Sequence, residues 1–213
     1  MSKAAVIHVV DDDAPFRSAL ARVLQASGFE VLAYDSATSF LRSLANAKPG
    51  CILLDVQMPE LDGLQLQDQL STVANSWPIV FMSGQSDIPT SVRAIKAGAE
   101  DFLTKPISHK TLVEAIHRAL LRFAVLQQSL SRHEALRTLI ATLTPRESEV
   151  FGLMVRGKLN KQIAHLLGTS ERTIKYHRQM IMQKLKVQTF AEAVSIAERA
   201  GILALQTEFE NAS

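Results

Sequence analysis

The chain has 213 residues, 47% of them hydrophobic, and a formal net charge of +2. That length supplies one large core or two modest ones. A single cysteine, Cys51, excludes an internal disulfide, and no apolar run approaches the roughly 18 to 20 residues of a membrane span. The first apolar run, residues 4–10, is too short for a signal peptide and ends on three aspartates. The expectation is a soluble cytoplasmic protein with no membrane partner. The small net charge hides an asymmetry. Residues 1–120 carry 10 Lys and Arg against 13 Asp and Glu, whereas residues 121–213 carry 13 against 8. A basic half beside an acidic half fits a polyanion partner. It equally fits an ordinary solvated surface, and charge alone leaves both readings open.

In chain order, short apolar runs alternate with amphipathic segments. Residues 6–10, 51–54, 79–82 and 102–103 read as strands buried on both faces, with 30–34 a weaker fifth. Between them, Asp13 and Pro15 open a helix with Phe16, Leu20, Val23 and Leu24 on one face, stopped by Gly28. Ser36 opens a second, with Phe40, Leu41 and Leu44. Asp62 and Gly63 open a third, with Leu66 and Leu70. Pro89 opens a fourth, with Val92 and Ile95, stopped by Gly98. This alternation predicts an α/β fold, a doubly wound five-stranded parallel sheet, whose sites form at the carboxyl ends of the strands.

Residues 107–144 contain neither Gly nor Pro, and Leu112, Ile116, Ala119, Phe123, Leu126 and Leu130 follow a four-three spacing. This predicts a helix that closes the first domain and continues as a linker; its seam could pair with a partner helix or pack on its own domain. Residues 144–200 read as four short helices without strands. The expected organisation is a first domain over 1–120, a helical linker over 121–143, an all-α domain over 144–205 and a polar, frayed tail over 206–213.

In a parallel sheet, Asp11, Asp12, Asp55, Ser83 and Lys105 all fall at strand ends and therefore along one edge. Three carboxylates so close repel unless a cation joins them, and an oxygen-only set suits Mg²⁺. A carboxylate beside a metal and a lysine can act as a nucleophile toward phosphorus, with the two cations offsetting phosphoryl charge. Taken singly, each residue has a plain structural reading. Asp11 and Asp12 could be loop carboxylates, Asp13 a helix cap, Asp55 a turn cap and Lys105 a surface lysine before a proline. Their joint placement points to chemistry.

The segments VVDDD at 9–13, DVQMPELDG at 55–63, MSG at 82–84, AGA at 97–99 and FLTKP at 102–106 resemble a response-regulator receiver domain. The resemblance implies a flavodoxin-like fold, with Asp55 as phosphoacceptor. Mg²⁺ would be held by Asp12 directly, by Asp11 largely through water, by Asp55 and by the Gln57 carbonyl. Ser83 and Lys105 would contact the phosphoryl group, Ser83 and Phe102 would form the switch, and the Lys105–Pro106 peptide would be cis. Serine at 83 and phenylalanine at 102 stand where threonine and tyrosine are common.

In the basic half, Thr144, Pro145 and Glu147 form a helix start with a capping box. A helix from Lys161 to Leu167, a turn at residues 168–170 and a third helix to about Lys184 describe a helix-turn-helix, whose second helix enters the major groove. TPRESEV at 144–150, NKQIA at 160–164, SERTIKYH at 170–177 and IMQKLKV at 181–187 resemble a LuxR-type domain. With the receiver, nearly the whole chain is similar to the NarL/FixJ family of response regulators. By that resemblance, Lys175, Tyr176 and Gln179 reach base edges, and Lys161, Arg172, His177 and Arg178 reach phosphates. His177 fits a packing or capping role as well as a phosphate contact, and Tyr176 is larger than the usual valine. The fourth helix would present Val194 and Ala197 to its twin.

The resemblance implies a two-component DNA-binding regulator. A sensor histidine kinase phosphorylates Asp55, the chain dimerises, and promoter DNA is bound to regulate transcription, usually as an activator working with RNA polymerase. The protein assists its own phosphorylation and is not a turnover enzyme. Two other readings stand beside this one. The receiver could serve purely for dimerisation, which a phosphodonor with Mg²⁺ would test. Alternatively, Asp11 and Asp13 resemble the nucleophile motif of haloacid-dehalogenase-type phosphatases, a reading that leaves Asp55 and the basic half unexplained.

Overall fold

The computed structural model describes residues 5–73, 77–84 and 88–202. The expected tail at 206–213 lies outside them. The chain divides into two compact units, 1–126 and 127–213.

The first unit is built on strands β1 (Val6–Val10), β2 (Glu30–Tyr34), β3 (Gly50–Asp55), β4 (Ile79–Ser83) and β5 (Asp101–Thr104). They form one parallel sheet in the order β2-β1-β3-β4-β5. Helices α1 (Ala14–Ala26), α2 (Ala37–Ser43), α3 (Gly63–Val73) and α4 (Ile88–Lys96) connect the strands, and α5 (His109–Ala141) follows. The central strands β1, β3 and β4 are buried along their whole length. Their side chains alternate between two cores, as the pleat requires. Ile52, Leu54, Ile79 and Phe81 join Phe40, Leu66 and Leu70 in one, while Cys51, Leu53, Val80 and Met82 join Leu24, Leu112 and Ile116 in the other. Helix starts lie where capping chemistry places them: Asp13 accepts from the Phe16 amide and Ser36 from the Ser39 amide.

His8, at the centre of β1, is fully buried. Its two ring nitrogens pair with the Tyr34 hydroxyl (3.2 Å) and the Lys48 carbonyl (3.0 Å). The Trp77 ring stacks on it at 5.0 Å and Phe40 packs edge-on. Burial lowers its pKa, outweighing the opposing pull of the Lys48 carbonyl and Glu30, so the imidazole stays neutral.

Two apolar faces differ from expectation. Val23 on α1 is exposed, and α4 turns Ile88, Val92 and Ile95 to solvent, burying Ala94 instead. An amphipathic period shows that a face is apolar, not that the same chain covers it. Along α5, Leu112, Ala115, Ile116 and Ala119 are buried, whereas Leu121, Val125, Leu126 and Leu130 are exposed.

In the second unit, α6 (Pro145–Val155), α7 (Asn160–Leu166), α8 (Glu171–Lys184) and α9 (Phe190–Arg199) enclose a core of Val150, Phe151, Met154, Ile163, Ile174, Ile181 and Leu185. Leu139, Ile140 and Leu143, at and just beyond the end of α5, pack against it. Thr144 and Glu147 complete the capping box of α6, and the same Glu147 carboxylate accepts from Lys184 Nζ on α8 (2.6 Å). Ala197, expected on an open face of α9, is instead fully buried in this core beside Ala193. The small side chains let α9 approach closely.

Candidate functional site

The strand ends of the first unit bring Asp11, Asp55 and Lys105 into direct contact. Lys105 Nζ donates to Asp55 Oδ1 (2.6 Å) and to Asp11 Oδ2 (2.8 Å). Asp11 follows β1, with its amide donating to the Tyr34 carbonyl at the end of β2. Its Oδ1 accepts from the Asp13 amide, and Arg17 donates to its carbonyl. Asp55 is the last residue of β3, and its Oδ2 accepts from the Gln57 amide (2.9 Å). Ser83 ends β4, is buried, and pairs in register with Thr104; its carbonyl accepts from the Lys105 amide (2.7 Å). The Lys105–Pro106 peptide is cis. Asp12 is exposed beside Asp11 and is not paired with Lys105.

Gly63 makes this packing possible. A Cβ there would lie 2.3 Å from the Asp55 carbonyl oxygen, so α3 can start this close to the site only on a glycine. Burial pushes the Asp55 carboxyl above the usual carboxylate range; Lys105 opposes that shift and the Asp11 charge adds to it. Burial alone would lower Lys105, but its hydrogen bonds and charge pairing with Asp11 and Asp55 outweigh this and raise it. Two buried carboxylates therefore share one ammonium, and Asp12 adds a third negative charge nearby. Among the described residues, no three His, Cys, Asp or Glu side chains already converge as a metal cage. The donor set is nonetheless all oxygen and carries uncompensated negative charge, which fits a hard divalent cation that keeps several waters.

Phe102 is half-buried, 6.2 Å from Phe81 between ring centroids. On its outer side it lines a groove with Ile88, Val92, Ile95 and Lys96.

In the second unit, Ser170 caps α8 through the Thr173 amide, after a turn in which Gly168 takes a positive φ of 62°. Arg172, Lys175, Tyr176 and Gln179 follow a three-four spacing on α8 and are exposed, Tyr176 to 60%. Lys161 is exposed on α7. Arg178 and His177 sit differently. Arg178 is half-buried, donates to Asn160 Oδ1 on α7 (3.1 Å) and lies 5.7 Å from the Phe190 ring centre. His177 is half-buried, and its Nδ1 has no hydrogen-bond partner among the described residues. The exposed face of α8 therefore carries Arg172, Lys175, Tyr176 and Gln179, while the half-buried Arg178 also ties α8 to α7 and α9.

Sequence reasoning gave Phe16, Arg17, Gly63 and Asn160 no part in either site. For Gly63 the signal was present, a glycine eight residues after Asp55. For Phe16, whose ring centre lies 4.1 Å from Lys105 Nζ, nothing local could have found a partner so distant in the chain.

Comparison with known proteins covers both units. Residues 7–117 match the response regulator receiver domain family, and residues 141–197 match the luxR family of bacterial regulatory proteins. The chain is 42% identical over 198 residues to the response regulator protein TodT of Pseudomonas putida, covering 92% of this chain and 87% of that one. It is 36% identical over 197 residues to the transcriptional regulatory protein FixJ of Bradyrhizobium diazoefficiens, covering 92% and 96%. The solved structure of the response regulator StyR matches with a TM-score of 0.85 at 42% identity, covering 92% of this chain and all of that one.

Proposed function

Since this chain belongs to the DNA-binding response regulators of the NarL/FixJ type, a receiver joined to a LuxR-type helix-turn-helix domain, we propose that Asp55 is its phosphoacceptor. A phosphohistidine on a sensor histidine kinase is the donor. One Asp55 carboxylate oxygen bonds to phosphorus as the phosphorus–nitrogen bond to histidine breaks, and the imidazole leaves. Asp11, Asp12, Asp55 and the Gln57 carbonyl would hold Mg²⁺, which supplies positive charge opposite the transferring phosphoryl group. Lys105 and the Ser83 hydroxyl receive the phosphoryl oxygens. The observation that carries the reading is the sharing of one ammonium by two buried carboxylates. That arrangement presets a cation against the attacking oxygen.

Residues 1–120 form the receiver, 121–143 the linker and 144–205 the DNA-binding domain. Ser83 and Phe102 relay phosphorylation to the exposed apolar face of α4, through which two copies pair. Two linked helix-turn-helix units then bind two half-sites of promoter DNA at high effective concentration. Lys175, Tyr176 and Gln179 read bases. Lys161, Arg172, His177 and Arg178 contact phosphates. The outcome is regulation of transcription, as an activator acting with RNA polymerase, in the cytoplasm. The receiver promotes its own phosphorylation and dephosphorylation and is not a turnover enzyme.

The test is Asp55→Asn, which keeps the size and loses the nucleophile. Acid-labile phosphate incorporation from phosphoramidate with Mg²⁺ should disappear, and with it any phosphorylation-driven dimer in the ultracentrifuge. Full labelling of the variant elsewhere would overturn the assignment.

A further inference from the structure

We propose that Phe16 is a positioning residue for phosphoryl transfer: its ring face holds the Lys105 ammonium in place while the carboxylates around that ammonium change partners. The proposal rests on the reading of Lys105 as the phosphoryl partner. An ammonium has three N–H donors. Two of them go to Asp55 and Asp11, and the Phe16 ring centre lies 4.1 Å from the same nitrogen, well inside the range of a cation–π contact.

Phe16 is itself held firmly. Its amide donates to Asp13 Oδ1 (3.0 Å), its ring packs against the core that includes Ile7, Val9 and Leu20, and the next residue, Arg17, donates to the Asp11 carbonyl. The first turn of α1 is therefore tied to the loop that carries the acidic residues.

The three contacts of Lys105 have different fates. A divalent cation competes for both carboxylates, and phosphorylation converts the Asp55 carboxylate to an acyl phosphate. The ring is consumed by neither event. It holds the ammonium through both changes, against the alternative in which a flexible lysine, its side chain 21% exposed, turns out into water.

The experiment uses the full-length protein with Phe16 replaced by phenylalanines bearing one, two or three ring fluorines. These weaken the negative ring face stepwise with little change in size. Phosphorylation rates from phosphoramidate with Mg²⁺ should fall in step, ending about 3- to 10-fold below wild type. Phe16→Leu should fall at least as far, and Phe16→Tyr should stay within about twofold. Mg²⁺ affinity should hold throughout, because the ring touches no carboxylate. A readout independent of turnover is the NMR shift of the Lys105 ε-methylene protons. The ring current should move them upfield, with and without Mg²⁺, and Phe16→Leu should return them to the ordinary lysine position. A flat fluorine series, or an upfield shift that vanishes when Mg²⁺ is added, would overturn the role of Phe16. Lys105→Ala, run alongside, separates the two ideas. If it is phosphorylated and switches like wild type, the reading of Lys105 fails and the proposal with it. If it is impaired and the fluorine series is flat, Phe16 alone is wrong.

Discussion

The acidic pocket and helix α8 both gather charge, and they hold it in opposite ways. In the pocket, Asp11 and Asp55 are buried, and their charges are directed at one shared lysine. On α8, Arg172 and Lys175 stand in solvent, while the charged groups that are internally paired, Arg178 with Asn160 and Lys184 with Glu147, hold the helices together. Charge kept out of water interacts strongly with a small ion or a single phosphoryl group. Exposed charge interacts weakly per residue and adds up along a polyanion. Removing a pocket residue should therefore abolish a function, whereas removing a surface residue should scale one.

That contrast can be broken, and the largest effect belongs to Lys105. Lys105→Ala leaves two buried carboxylates facing each other, so the receiver should lose about 3 to 5 kcal/mol of stability in urea unfolding without Mg²⁺. Mg²⁺ should bind this variant and restore much of the loss, yet phosphorylation should no longer raise DNA affinity. If Mg²⁺ affinity collapses as it would for Asp12→Ala, Lys105 has been misassigned.

A smaller effect separates residues on α8. Lys175→Ala should cost about 1 to 3 kcal/mol on the cognate duplex and much less on a scrambled one. Arg178→Ala should weaken both duplexes about equally and lower the salt slope by roughly one unit if the guanidinium reaches a phosphate. Its anchor allows a control: Asn160→Ala should cost about 1 kcal/mol of stability while keeping the slope. Titrations at several salt concentrations with matched thermal melts decide this. Equal losses on both duplexes for Lys175→Ala would move that residue to the phosphate class.

The smallest effect is a pH dependence. Lys184 first, and the Thr144 backbone second, hold the Glu147 carboxyl below its ordinary value of 4.5. A carboxyl lowered by folding contributes stability that is full above that value and is lost as pH falls through the lower folded one. Glu147→Gln should therefore melt lower than wild type at neutral pH and converge with it in acid. Parallel pH profiles for the two proteins would sink this account.

Much of this was legible in the sequence, for identifiable reasons. The strands β1, β3 and β4 read clearly because burial on both faces leaves an unbroken apolar run. Asp13, Ser36 and Thr144 each cap the helix expected of them, because capping is a local bond between residues three apart. The meeting of Asp11, Asp55 and Lys105 followed from strand ends sharing one edge. Less local features did not read out. Val92 and Ile95 look like core residues in any helical projection, and solvent faces them. Ala197 resembles a surface alanine until the closeness of α9 is known. Gln67 looks polar and solvent-facing, yet it is buried on α3 and donates to the Ala94 carbonyl on α4 (3.1 Å). In each case the missing information is what lies opposite, which periodicity does not encode.

The cluster around His8 has a practical consequence for spectroscopy. Trp77 is the chain's one tryptophan, so indole emission comes from the unit spanning 1–126 and from nowhere in 127–213. Its ring stacks on an imidazole that folding keeps neutral, and a protonated imidazole is a much stronger quencher of indole light than a neutral one. Emission from the native protein should hold steady as pH falls past 6.5, the ordinary histidine value, and drop once the cluster opens. Circular dichroism, by contrast, sums the helices of both units. Recorded together on one sample, the two signals resolve the receiver's unfolding from that of the DNA-binding domain without a label on either.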